Sequence, residues 1–75
     1  MINIQDIIPF MKSGWVAMDE TGVWYYYEQE PEMSDSITGG YWHSWDNVRI
    51  SDVFDIAPAN DWTKSLICIK GKNNE

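Results

Sequence analysis

His43 and Cys68 are the only residues of their kinds in this 75-residue chain, and that limits its chemistry at once. A histidine acting as a catalytic base needs a nucleophile and an orienting acid converging on it. His43 stands between Trp42 and Trp45, and nothing near it in sequence supplies that converging arrangement, so it reads as an exposed or hydrogen-bonded strand histidine. Cys68, flanked by Ile67 and Ile69, reads as a small core hydrophobe; a reactive thiolate wants a basic or helix-N-terminal setting. One histidine and one cysteine cannot build a zinc site or a disulfide within the chain. Gly39-Gly40 lacks both the spacing and the lysine of a phosphate loop. Carboxylates are plentiful, but a hydrolytic pair needs a cleft and a fixed separation, and chance pairings abound here. The expectation is a protein that is not an enzyme, with no catalytic residue, no metal and no cofactor.

Charge and aromatic content point to binding instead. Twelve acidic residues against five basic ones give a net charge of −7. Between residues 13 and 63 lie Asp19, Glu20, Glu28, Glu30, Glu32, Asp35, Asp46, Asp52, Asp55 and Asp61, with Arg49 as the single base. Lys12, Lys64, Lys70 and Lys72 sit towards the two ends. Direct binding of nucleic acid is excluded, because that affinity comes from cations displacing counterions. Surface carboxylates also serve plain solubility. Five Trp, four Tyr and two Phe supply large apolar area, about 150–250 Å² for each ring that is buried. Trp15, Trp24 and Trp62 are expected in the core. Tyr25, Tyr27, Tyr41 and Trp45, with Glu28, Glu30, Glu32 and Asp35, make the candidate binding surface, since aromatics rimmed by acids resemble an interaction patch. The partner that fits is a protein with a basic surface. The alternatives are a nucleotide or sugar stacked on Trp and Tyr, and a homodimer formed through the exposed rings.

These residues must be held by short elements. Ile4, Ile7, Ile8 and Met11 mark one helical face. Asn3 is its cap, and Pro9 divides it into two short turns ended by Gly14. Residues 15–28 predict a β-hairpin, with Asp19-Glu20-Thr21-Gly22 as its turn. In its second strand Trp24 and Tyr26 face one way, and Val23, Tyr25 and Tyr27 the other. Residues 29–40 read as a long acidic loop. A third strand covers 41–45, a fourth falls within 48–56, a helical turn near 60–66 is capped by Asn60 or Asp61, and Leu66–Ile69 makes a last short strand.

The fold expected is therefore small α+β. An antiparallel sheet of three or four strands, arranged as a meander, carries short helical segments at the N-terminus and near residues 60–66. One domain spans 1–70, and 71–75 is a frayed tail. The chain starts without the basic and apolar run of a signal peptide, and it lacks the ~20-residue apolar stretch that spans a bilayer. Unpaired cysteine usage agrees with a reducing compartment. The protein is accordingly expected in the cytoplasm and off the membrane.

Gly14-Trp15, the Asp19–Gly22 turn, Tyr25-Tyr26-Tyr27 and Trp42 resemble the meander of WW domains. The 27 residues from Trp15 to Trp42 exceed that family's interval, and no proline follows Trp42, so the likeness is that of any aromatic three-stranded sheet. A second resemblance spans residues 15–66. Trp15-x-Ala17-x-Asp19-x-x-Gly22, then Glu28-x-x-Pro31, Ile56-x-Pro58 and Asp61-Trp62-x-x-Ser65-Leu66 are similar to a group of short uncharacterised bacteriophage and prophage proteins. Ile67-Cys68-Ile69-Lys70 departs from the charged, proline-containing end of that group. The resemblance implies a phage accessory protein acting on a host or defence protein inside an infected or lysogenic bacterium, and it transfers no site residue.

Overall fold

A computed structural model describes residues 1–36 and 39–70, with Asp35 and Ser36 described by their backbone alone. It has the expected small α+β fold, built on a four-stranded antiparallel sheet. The strands are β1 (Gly14–Met18), β2 (Trp24–Tyr27), β3 (Glu32–Ser36), β4 (Gly39–His43), β5 (Val48–Arg49) and β6 (Ile67–Ile69). The four-stranded sheet runs β5-β2-β1-β6, while β3 and β4 pair only with each other. Chain order is thus broken twice: the last strand closes on the first, and a separate hairpin is inserted between β2 and β5. The tail expected at 71–75 lies outside the described residues.

The N-terminal segment follows from its capping and its proline. Asn3 takes extended backbone and its Oδ1 accepts from the Gln5 amide at 2.9 Å, starting helix α1 (Ile4–Ile7). A 3₁₀ turn over Ile8–Phe10 carries Pro9 in its first turn, where a missing N–H costs least. Ile2 forms a parallel bridge to Ile56, its N–H donating to Asp55 and its carbonyl accepting from Ala57. This segment is laid over one sheet face.

That face holds the core. Val16 pairs with Tyr26 and Ile67, and Met18 pairs with Trp24. With Ile4, Ile50, Ile56 and Ile69 they form one buried cluster, against which Ile7, Ile8, Met11 and Trp62 pack. Trp24 and Tyr26 sit here together, as two-residue alternation requires. Their polar tips are satisfied, with Trp24 Nε1 donating to Ala57 O at 3.1 Å and Tyr26 Oη donating to Ser13 O at 2.6 Å.

The β1–β2 turn then joins the two sheets. Gly22 N–H closes on Asp19 O at 2.9 Å with φ of 93°, a backbone state that glycine adopts without penalty. Asp19 and Glu20 project from this turn onto β4. Asp19 Oδ1 accepts from Trp42 N at 3.1 Å, Glu20 Oε1 accepts from Gly40 N at 3.0 Å, and Glu20 N donates to Gly40 O. Tyr27 Oη donates to Trp42 O at 3.1 Å. The edge of β4 that β3 leaves open is thereby met by side chains, so these two acids are parts of the fold.

Burial pushes the Asp19 carboxyl above its ordinary range, and the Trp42 amide offsets this only in part. A carboxyl with a raised folded pKa costs nothing below its unfolded value of 3.8, and destabilises the fold as pH rises through the raised value. Asp19→Asn keeps the acceptor and removes the charge. The variant is expected to unfold at higher urea than wild type at pH 7, and at the same urea near pH 3. A less stable variant at pH 7 would show that the charge-assisted bond to Trp42 outweighs the cost of burial.

Three local expectations are corrected. The loop expected at 29–40 is strand over Glu32–Ser36 and Gly39-Gly40: β3 pairs Glu32 with His43, Met33 with Trp42 and Ser34 with Tyr41. One face of this hairpin meets solvent, so its strands lack the apolar signature of a covered sheet. The strand within 48–56 shrinks to Val48–Arg49, followed by a 3₁₀ turn over Ile50–Asp52, where Ser51 Oγ accepts from Trp24 N at 2.8 Å. Cys68 is exposed, because Ile67 and Ile69 turn inward against β1 and the residue between them must turn out.

Candidate functional site

The second face of the sheet decides which aromatics are available. Tyr27 is 1% exposed and Ala17 fully buried, on the side where β4 packs against β1. Burial, with the nearby Asp19 carboxylate and Tyr25 adding to it, pushes the Tyr27 phenol far above its ordinary range. Tyr27 is therefore a strut beneath the hairpin and leaves the set of surface candidates. Tyr25 is half-buried beside it, at 6.3 Å between ring centroids, and faces Arg49 across the β2–β5 ladder.

The other candidates gather on the outside of the β3–β4 hairpin. Strand alternation puts Glu32, Ser34, Tyr41 and His43 on one face, with Tyr41 and His43 5.7 Å apart between ring centroids. The opposite hairpin face carries Trp42, which meets Trp62 edge-on and donates from Nε1 to Trp62 O at 3.1 Å. That anchorage holds the outer face in position. At its base Gln29, Glu30, Glu32, His43, Ser44 and Trp45 line an open concavity of about 560 Å³. Trp45 is 93% exposed, an unusual position for the largest apolar side chain. Glu30, Glu32, Tyr41 and Trp45 are thus brought together. Asp35 takes its place in β3 opposite Gly40, and Glu28 stands apart, lining a different groove with Lys12 and Asp46.

Charge on this surface is less general than the composition implies. Of the mid-chain acids, Asp19 and Glu20 bind β4, and Asp61 caps the turn at Trp62–Lys64 through the Thr63 amide at 3.0 Å. Asp46 accepts from Glu28 N, Asp52 pairs with Arg49 at 3.2 Å, and Glu28 pairs with Lys12 at 3.1 Å. Glu30 and Glu32 enter no ion pair among the described residues, and no lysine or arginine lines their concavity. At this concavity two uncompensated carboxylates stand beside an exposed indole.

The same places bear on catalysis and ligation. His43 is exposed with Tyr41 as its ring neighbour, and Cys68 lies on the edge strand β6 of the other sheet. Among the described residues no three His, Cys, Asp or Glu side chains cluster as metal ligands would, and no helix is long and apolar enough to cross a membrane. Glu30, Glu32 and Trp45 are candidates from the sequence, whereas Gln29, His43 and Ser44, which line the same concavity, are not, because the residues around them lack an apolar alternation. The signal that could have drawn them in is their closeness in sequence to Glu30 and Glu32 on one side and Trp45 on the other. No family model, curated protein or solved structure matches the chain.

Proposed function

We propose that this is a non-enzymatic accessory protein, of bacteriophage or prophage kind, that binds a basic surface on a host or defence protein in the bacterial cytoplasm. The observation that carries the reading is the pairing of an indole 93% exposed with Glu30 and Glu32 in one concavity lined by no lysine or arginine among the described residues. An exposed tryptophan supplies a contact of the kind that dominates interfaces, and uncompensated carboxylates select a positive partner. In its sharpest form the carboxylates stand in for the phosphates of a nucleic acid in the partner's basic groove.

Capture from bacterial lysate on the immobilised protein tests this. A partner held at about 50 mM salt should be released at about 500 mM, because exposed charges are screened within a Debye length of ~10 Å at 0.1 M. Trp45→Ala should weaken the same partner by about tenfold or more, as truncation of a central aromatic does. Binding that ignores salt removes the charge mimicry. A partner that binds Trp45→Ala and Glu32→Gln as well as wild type removes this surface, and the lack of any partner removes the reading.

A sugar is the second reading, supported by the amide, hydroxyl and carboxylate groups of Gln29, Ser44 and Glu32 around the Trp45 ring. Titration of tryptophan fluorescence with oligosaccharides and nucleosides decides it, and a flat signal across both sets excludes it.

A further inference from the structure

A second groove, of about 340 Å³, shares no lining residue with the first and has a different character. Its walls are Met11, Tyr26, Val48 and Ile50, and its lip carries Lys12, Glu28 and Asp46. Tyr26 and Ile50 belong to the core cluster, so the apolar walls are fixed by the fold. Val48 is 56% exposed on β5, an edge strand of two residues.

The lip already handles a cation. Lys12 Nζ lies 3.1 Å from Glu28 Oε2 and 5.9 Å from the centre of the Tyr26 ring, held by one carboxylate and one aromatic face. Asp46 accepts the Glu28 amide at 3.2 Å and has no cation paired to it among the described residues. Two carboxylates therefore face one ammonium, on a chain of net charge −7. An anion is repelled there, and a neutral apolar group leaves the excess carboxylate uncompensated. The Lys12–Glu28 pair is exposed on both sides, so it opens at little cost.

We propose that this groove takes a lysine or arginine side chain of the protein partner. The methylene stem lies along Met11 and Val48, and the cation sits between Glu28 and Asp46. Long basic side chains have this division into an apolar stem and a charged head. The inference rests on the reading of a basic partner and adds the anchor that partner must present.

The test uses the whole chain without a partner. Methyl spectra are recorded during titration with n-butylammonium and n-butylguanidinium, and separately with n-butanol and n-pentanoate. The two cations should shift the Met11, Val48 and Ile50 methyls while butanol and pentanoate shift them far less. Lys12→Met removes the resident competitor and should tighten cation binding about two- to fivefold, whereas Asp46→Asn, which keeps the amide acceptor, should weaken it by a similar factor. Equal shifts with butanol, binding of pentanoate, or silent methyls would each overturn the proposal, as would variants that leave the affinities unchanged. If the cations bind and lysate capture fails, the groove stands as a cation site and the protein-partner reading falls. If capture succeeds and the methyls stay silent, only the groove falls.

Discussion

Gly40→Ala is expected to destabilise the protein by about 2–3 kcal/mol, the cost of adding a methylene to a packed site. Gly40 is buried in β4, and a Cβ there would fall within the indole of Trp62. A side chain at fault can often swing aside, but this ring is held. The Trp62 carbonyl receives Trp42 Nε1 and Ser65 N, and the ring itself meets Trp42 edge-on. The strand cannot retreat either, since Gly40 N donates to Glu20 Oε1 and Gly40 O accepts from Glu20 N. Something must yield, and either choice loosens the β3–β4 hairpin from the sheet. Small domains have about 0.05–0.15 kcal/mol of stability per residue, so the loss is a large share of the total. Urea unfolding should show a lower midpoint with an unchanged slope. Trp62→Ala in the same background supplies the decisive control. Removing the indole makes room for the new methyl, so the double variant should be more stable than the sum of the single losses predicts. Strict additivity, or a Gly40→Ala variant within about 0.5 kcal/mol of wild type, would refute the clash.

The contact between Gly40 and Trp62 also marks where the sequence stops being readable. Elements with a covered face and local turn chemistry were legible: the Asn3 cap, the division at Pro9, the Asp19–Gly22 turn, and the assignment of Trp24 and Tyr26 to one face. Each depends on residues within a few positions of one another. A strand at 41–45 was legible and falls two residues earlier as β4, but its partner β3 was not, because Glu32-Met33-Ser34-Asp35-Ser36 has neither apolar alternation nor β-branched residues. The β3–β4 hairpin is docked by hydrogen bonds to the Asp19, Glu20 and Tyr27 side chains and by the Trp62 ring, all distant in sequence. The pairing of β6 with β1 is likewise a contact between chain ends that no local pattern encodes.

For the candidate site the same division holds. Exposure of Trp45 and Tyr41 could be read from the strand's polar surroundings, whereas burial of Tyr27 could not, since alternation places Tyr25 and Tyr27 together. Only the hairpin docked over part of that face separates them. The count of acids was equally ambiguous. Asp61 is legible as a cap, but Asp19 and Glu20 give no local sign that they accept from β4, and the removal of all three from the tally leaves the Glu30–Glu32–Trp45 surface more distinct than total charge made it.

Ser65→Ala is expected to cost about 1–3 kcal/mol, the penalty for leaving a buried backbone donor without a partner. Ser65 is 4% exposed, and its Oγ accepts from Met18 N at 2.8 Å. The hydroxyl proton has two carbonyls in reach, Trp62 O at 2.7 Å and Met18 O at 3.1 Å. Val16 pairs with Ile67, so continued antiparallel register would set Met18 opposite residue 65. The chain has already turned into the Trp62–Lys64 segment there, and a side-chain hydroxyl completes the ladder that the backbone leaves. Trp62 O keeps the Trp42 indole and the Ser65 amide as donors in the variant, so its loss is slight. Met18 N has no substitute, because the site is enclosed by the core that Met18 and Trp24 form. The loss should appear as a lower urea midpoint together with faster hydrogen exchange at the Met18 amide than at Val16. Unchanged stability with a protected Met18 amide would mean that a water replaces the hydroxyl, and that Ser65 is a replaceable filler of the clasp between β6 and the β4-bearing Trp62.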